Sequence, residues 1–343
     1  MRRMLNTLYV TSEGAHLRKD GETMAVDVDG TTRARTPAHL LGQIVCLGQV
    51  SVSPAVLGFA MEVGISVSFL SYSGRLLGRV EGPMTGNVLL RRAQHAATAD
   101  PARSLPVARA MVAAKLANQR AVLRRHLRDH ADAPGREAVE AAETRLYYAA
   151  RLALSAPDLD ALRGQEGDGG AVYWSVFPHL LRNPDLAGSF RGRSRRPPLD
   201  PVNALLSFLY VLLAADARAA CEVHGLDPQM GFLHRDRPGR MSLALDLMEE
   251  FRAPMADRVA LTLVNRRQME PADFEHQETG AVLLTERGRR AVIEAWQARK
   301  RNELRHAWFD EAAPLGLFPQ LQAQLLARHL RGELDGYPAF LWG

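Results

Sequence analysis

Cysteine is nearly absent, and both examples, Cys46 and Cys221, sit inside apolar runs. That excludes a disulfide framework and a thiolate zinc site, and it predicts a reducing compartment. Lysine is scarce too: among 43 basic residues only Lys19, Lys115 and Lys300 are lysines. Arginine therefore carries the positive charge, and its planar fork suits phosphate oxygens, although a GC-rich genome produces the same bias. No apolar run reaches the roughly 18 residues that a membrane span needs. The most apolar stretch, Val202 to Ala215, is interrupted by Asn203 and Ser207. The opening MRRMLNTLYVTSEG has no long apolar core and no small-residue cleavage site, so neither a signal peptide nor a membrane partner is expected, and the expected location is cytoplasmic.

What is present is an ordinary globular balance, 47% hydrophobic and 24% charged, over 343 residues. That length accommodates two domains. A net charge of +5 permits a nucleic-acid partner without requiring one.

The chain changes character near Val88. Before it, LYVT, AHLRK, TMAVDVD and TTRART are short, β-branched or alternating, and broken by Gly, Asp or Pro, as strands are. Ile44 to Ser53 reads as one longer buried strand. Ser53-Pro54 then caps a short helix that Gly64 closes, and ISVSFLS and RLLGRVEG follow as strands around Ser73-Gly74. After it, helical spacing predominates: Ala108–His130, Arg136–Leu154, Asn203–Val223, Leu243–Arg252, Arg258–Met269, Arg289–Asp310 and Gln320–Leu330. The expected fold class is α+β. A β-rich domain over residues 1–82 precedes a linker over 83–90 and an all-α domain over 91–343. Asn183 to Pro201, rich in Pro, Gly and Arg, is the most irregular segment.

Three constellations carry chemistry. GFLHRDRPGRMSLALDLMEEFRAP, Gly231 to Pro254, places a histidine on a loop, a Pro-Gly turn, Ser242 as an N-cap, and a helix. At about 100° per residue, Ala244, Leu247, Met248 and Phe251 share one arc, while Asp246, Glu249 and Glu250 share the opposite one, with Asp257 if the helix continues. His234 could fold back over that acidic arc. The alternative is a solvated acidic face beside a surface histidine. Arg235, Arg237, Arg240 and Arg252 surround the acids. The second constellation is Glu166, between Gly164 and Gly167, in a segment leading into a helix with Tyr173 and Trp174. A carboxylate between glycines can be approached closely, or it can simply be a turn residue. One imidazole with two or three carboxylates suits Mg²⁺ or Mn²⁺ and leaves open positions for water and phosphate oxygens. In the third, SFRGRSRRPPLDPVNALLSFLY, Arg191, Arg193, Arg195 and Arg196 crowd an extended segment. They form either a phosphate-backbone contact or a solvated basic loop.

With these motifs in place the sequence resembles the CRISPR-associated integrase family Cas1, and most closely its type I-C branch. The resemblance runs through LYVTSEGAHLRKDGETMAVDVDG, GISVSFLSYSGRLLGRVEGPMTGNVLLRRAQ, VAAKLANQRAVLRR, LRGQEGDGGAVYW, FRGRSRRPPLDPVNALLSFLY and GFLHRDRPGRMSLALDLMEEFRAP. It implies that Glu166, His234 and Glu249 bind the catalytic Mg²⁺ or Mn²⁺, with Asp246 beside them. Glu249 stands where some members have Asp, a departure of one methylene. It also implies a homodimer through the N-terminal domain, a small partner, Cas2, and an associated nuclease, Cas4. The reaction implied is attack by the 3′-hydroxyls of a prespacer duplex on phosphodiesters at the repeat ends. The arginine segment, with Arg237 and Arg240, would grip DNA. Two other readings stay open: a structure-selective, metal-dependent DNA repair nuclease without integration, and a non-catalytic DNA-binding scaffold.

Overall fold

The structure, a computed structural model, describes residues 6–72, 74–80, 82 and 88–342. It divides into two compact units, Met1–Thr85 and Gly86–Gly343. Of the expected linker, residues 83–87 lie outside the described residues, as does Ser73 of the expected turn, and residues 88–90 already belong to a helix.

The first unit holds β1 (Asn6–Val10), β2 (His16–Asp20), β3 (Thr23–Val28), β4 (Thr31–Pro37), β5 (Leu41–Leu47), β6 (Ser51–Val52), α1 (Pro54–Glu62), β7 (Ser66–Leu70) and β8 (Leu76–Val80). They form two four-stranded sheets, ordered β1-β5-β7-β8 and β4-β3-β2-β6. The strand expected over residues 44–53 is therefore two strands in different sheets. Gly48, at φ 78°, turns the chain between them, a conformation that side-chain-bearing residues avoid. The core between the sheets includes Leu17, Met24, Ile44, Val56 and Val67, all buried. Ser53 caps α1 by accepting a hydrogen bond from Val56 N at 3.4 Å.

The second unit is mostly helical: α2 (Val88–Ala99), α3 (Pro101–Asp129), α4 (Arg136–Ala153), α5 (Leu159–Leu180), α6 (Pro184–Ala187), α7 (Pro201–Val223), α8 (Ser242–Phe251), a π-helical turn over Arg252–Asp257, α9 (Arg258–Asn265), α10 (Glu286–Arg301) and α11 (Phe318–Leu330). It is not wholly helical. Two small hairpins, β9 (Phe274–His276) with β10 (Val282–Leu284) and β11 (Glu303–His306) with β12 (Glu311–Pro314), interrupt it. The second hairpin takes the end of the helix expected over 289–310, and Asp310 turns it at φ 55°. By length and composition α7 could cross a bilayer, which the interrupted apolar run did not suggest. Most of its apolar side chains from Val202 through Leu213 are instead buried inside this unit. Both cysteines are free and buried, and burial pushes the Cys46 thiol up to about 12, so it stays protonated.

Candidate active site

The segment around Glu166 is not a turn. Asp158 caps α5 by accepting from Ala161 N at 2.8 Å, and the helix continues through all four glycines of GQEGDGG. Four helical glycines are costly by propensity, about 1 kcal/mol each, yet one of them sits at a close packing contact. A Cβ on Gly169 would fall 2.4 Å from a Leu116 methyl carbon, so the glycine lets α5 settle onto α3. That approach brings Glu166 onto Lys115, the neighbour of Leu116. The buried Lys115 ammonium donates to Glu166 Oε1 and lies 2.8 Å from Glu249 Oε2. One lysine thus bridges the acid of α5 and the acid of α8.

Glu249 is buried. Burial alone would raise its pKa, but Arg252 and Lys115, with His234 nearby, outweigh it and hold the carboxyl well below the usual carboxylate range. Arg252 donates to Oε1 at 2.7 Å. Among the described residues the Lys115 ammonium is the one cation beside Oε2, and Oε2 accepts no hydrogen bond of proper geometry. It is a buried anionic oxygen with coordination to spare.

His234 is placed by Asp246. This fully buried carboxylate accepts from the backbone N–H groups of Phe232 (2.6 Å), Leu233 (3.0 Å) and His234 (3.0 Å), and Oδ1 lies 2.5 Å from His234 Nδ1. A saturated carboxylate at Nδ1 fixes the ring and leaves Nε2 as the free nitrogen. From α5, Arg163 donates to Leu233 O at 2.8 Å and secures the loop from the other side. Ser242, expected as the N-cap of α8, is its first residue, and no side chain caps that end.

The expected acidic arc is not a solvated face: Asp246, Glu249, Glu250 and Asp257 are all buried. Nor does it act as one cluster. Glu250 turns away from Lys115 and accepts from Tyr337 Oη, Gln322 Nε2 and Phe340 N, and burial pushes it up to about 8 against those three donors. Asp257 accepts from Tyr210 at 2.6 Å and Tyr173 at 3.0 Å, and burial raises it to about 6. The π-helical turn brings Arg252 within 4.2 Å of the Tyr210 ring while Arg252 still reaches Glu249.

The arginine segment divides. Arg191, Arg195 and Arg196 are exposed. Arg193 is half-buried and donates to Asn203 Oδ1 (2.7 Å), Ser207 Oγ (3.1 Å) and Ser194 O, with its guanidinium 5.2 Å from the Tyr210 ring. The expectation that Arg193 grips DNA does not fit that placement, because both terminal nitrogens of its guanidinium already donate inside the unit. On the His234 loop Arg237 is exposed and Arg240 half-buried. Sequence reasoning missed Lys115, Tyr210 and the role of Arg252. The available signal was Lys115 itself, a rare lysine inside the apolar VAAKLA.

Among the described residues no three His, Cys, Asp or Glu side chains stand close enough together to hold an ion as placed. The donor set nevertheless fits a hard divalent cation. Two carboxylates converge on a position filled by the Lys115 ammonium, one of their oxygens is buried without a hydrogen bond, and an imidazole nitrogen is left free beside them.

A two-sheet β unit followed by a mostly helical unit is a fold seen in solved structures. The chain aligns with a CAS1 protein from Thermotoga maritima at a TM-score of 0.80 and 22% identity, covering 97% of this chain and 99% of that one. It aligns with a casposase bound to integration product at 0.82 and 21%, covering 97% and 93%. A chain of a Cas6-RT-Cas1–Cas2 complex matches at 0.82 and 22%, covering all of this chain and 36% of the other. In sequence, residues 8–298 match the profile of CRISPR associated protein Cas1. The chain belongs to the Cas1 family. A CRISPR-associated endonuclease Cas1 of Rhodospirillum rubrum is 53% identical over the whole of both chains, and a Cas4 exonuclease/Cas1 endonuclease fusion of Geobacter sulfurreducens is 35% identical over 97% of this chain and 60% of its own length.

Proposed function

We propose that this protein is a metal-dependent DNA endonuclease and integrase of CRISPR spacer acquisition, of the type I-C branch. Glu166, His234 and Glu249 would hold Mg²⁺ or Mn²⁺. The observation that carries this reading is the convergence of Glu166 and Glu249 on one cationic position, with a buried Glu249 oxygen that accepts no hydrogen bond. When bound, the ion would polarise a phosphodiester and lower the pKa of an attacking water or 3′-hydroxyl.

The chain's own residues prepare the site. Lys115, with Arg252 on Glu249, offsets the charge of the two carboxylates, which would otherwise repel one another at close range. Its ammonium must swing aside for an ion to enter. Arg252 locks one oxygen of Glu249 and leaves the other available. Asp246 acts through His234, as a positioning residue that sets the imidazole. Exposed Arg191, Arg195, Arg196 and Arg237, with Arg240 at the margin, would take phosphates of the prespacer and repeat DNA.

The assembly proposed is a homodimer through residues 1–82, consistent with exposed Leu76 and Leu77 on the edge strand β8. It would work in the cytoplasm with Cas2, and with Cas4 as in the fused relative. The test is strand transfer of a 3′-hydroxyl duplex into a repeat-bearing plasmid, with and without Cas2. Covalent joining that requires Mg²⁺ or Mn²⁺ and disappears in Glu249→Gln is the expected result. Cleavage of branched DNA without any joining, Cas2 present, would replace the integrase reading with a repair nuclease.

A further inference from the structure

Away from the residues just described, the helical unit contains two adjoining clefts of about 590 and 260 Å³. They share Arg125 of α3, Arg258 and Thr262 of α9, and Arg266 just beyond the end of α9. The larger adds Arg299 of α10, and the smaller adds Arg182 and the imidazoles of His126 and His130. Arg125 lies ten residues beyond Lys115 on the same helix (125 − 115), so about 15 Å along it from the carboxylate pair.

Five arginines line these clefts against two acids, Asp129 and Glu294. Asp129 is engaged by Arg125 at 3.3 Å and Arg128 at 3.2 Å, and Glu294 is exposed at the edge. Among the described residues Arg258 and Arg266 form no ion pair, although each lies in the field of other guanidinium groups. Arg299 donates to Pro254 O, at 3.1 and 2.6 Å, and its charge meets no acid. Like charges gathered in a concave, partly desolvated space repel unless an anion lies between them. A second observation points the same way. His126 is more than nine-tenths buried, lines the smaller cleft, and its Nε2 has no hydrogen-bond partner. Burial, His130 and Arg182 push it down to about 4, so it is a neutral imidazole with a buried, unpaired nitrogen in the wall of a cationic space.

We infer that this double cleft is an anion site for a ligand carrying at least two neighbouring phosphate groups, separate from the carboxylate centre. Guanidinium forks in two adjacent clefts match successive phosphates, and Thr262 at their junction adds a hydroxyl. The chemistry is common to a free oligophosphate and to consecutive phosphodiesters of a DNA strand, and the test separates them.

The full chain is titrated in EDTA, so the carboxylate centre contributes no metal-dependent binding, first with inorganic pyrophosphate and then with a short thymidine oligonucleotide over a range of salt. Arg258→Gln/Arg266→Gln is compared with wild type, and Arg266→Gln alone, at an exposed position, serves if the double variant melts early. For a DNA strand, the slope of log K against log salt should shrink by about 0.7 for each phosphate the variant no longer neutralises. For a free ligand, pyrophosphate affinity should fall at least tenfold while the DNA slope stays parental. A wild type that does not bind pyrophosphate, together with an unchanged DNA slope in the variants, overturns the inference. It would leave the proposed integrase chemistry untouched, because no metal and no residue of that centre enters the measurement.

Discussion

In α8 three acids are buried and each has its own set of partners, whereas in the segment 189–200 three of four arginines stand in solvent. In sequence the two regions look alike, each a run of one charge sign close to a helix start. The difference lies in cost. A buried charge is tolerated only where hydrogen bonds or a counter-charge offset its desolvation, so every acid of α8 had to acquire a dedicated environment. Asp246 takes backbone N–H groups and an imidazole, Glu249 takes two cations, and Glu250 takes a tyrosine, a glutamine and an amide. The exposed arginines face no such demand and stay available. Arg193 is the exception that crosses over, an arginine treated as the acids are.

The largest effect that would break this contrast is loss of the carboxylate centre. Glu249→Gln, Glu166→Gln and His234→Ala should each lower Mg²⁺- or Mn²⁺-dependent cleavage of branched DNA by about 100-fold or more, with far-UV circular dichroism unchanged. Parental rates in a folded variant would remove that residue from the centre. Next comes Asp246→Asn, which keeps the shape but offers the imidazole a weaker partner. Mn²⁺ affinity should fall by about 10- to 100-fold, while DNA affinity without metal should not move.

A third experiment sharpens the comparison within the arginine segment. Arg193→Ala should lower the melting temperature and cleavage rate and leave the salt dependence of DNA binding alone. Arg195→Ala/Arg196→Ala should do the reverse, reducing the salt slope by about 0.9 per phosphate released on duplex DNA with no change in melting temperature. If both variants behave alike, burial does not separate the two kinds of arginine.

The smallest effect concerns Glu250, whose pKa is raised to about 8 by burial. A carboxyl raised in the folded state binds its proton more tightly there than when unfolded. Its stabilising contribution is therefore complete below the unfolded pKa, near 4.5, and is lost as pH rises through about 8. The melting temperature of the wild type should decline across that window, and Glu250→Gln, a neutral isostere, should flatten the decline. Identical slopes in the two proteins would mean that Glu250 is ionised throughout.

Much of this was legible in the sequence. The β-rich beginning, the helical remainder and the cap of α1 follow from alternation, 3.6-residue spacing and Ser-Pro chemistry. The resemblance to Cas1 singled out Glu166, His234 and Glu249, and angular position grouped Asp246 with Glu249. What stayed hidden was depth. Periodicity gives an angle around an axis but not whether that face meets water or another helix, so a solvated acidic face stayed open beside the metal-binding reading. The helix through GQEGDGG was obscured because local propensity opposes it, and the packing of Gly169 against Leu116 across the unit lies outside any local window. Lys115 was hidden for the same reason, since its partners are 51 and 134 residues away in sequence (166 − 115 and 249 − 115).

The binding of Glu250 to Tyr337 and Phe340, together with Asn118, which donates to Phe340 O and accepts from Trp342 N, has a consequence for synthesis. The Asn118 bonds join positions more than 200 residues apart, and the two sets together tie helices α3 and α8, which carry Lys115 and Glu249, to residues 337–342. While the chain is still on the ribosome, those two helices lack the segment that fixes their spacing. Domains assemble as units, and pairings this distant close last. A nascent chain stalled before residue 337 would therefore carry Lys115, Glu166, His234 and Glu249 without the contacts that fix the spacing of α3 and α8.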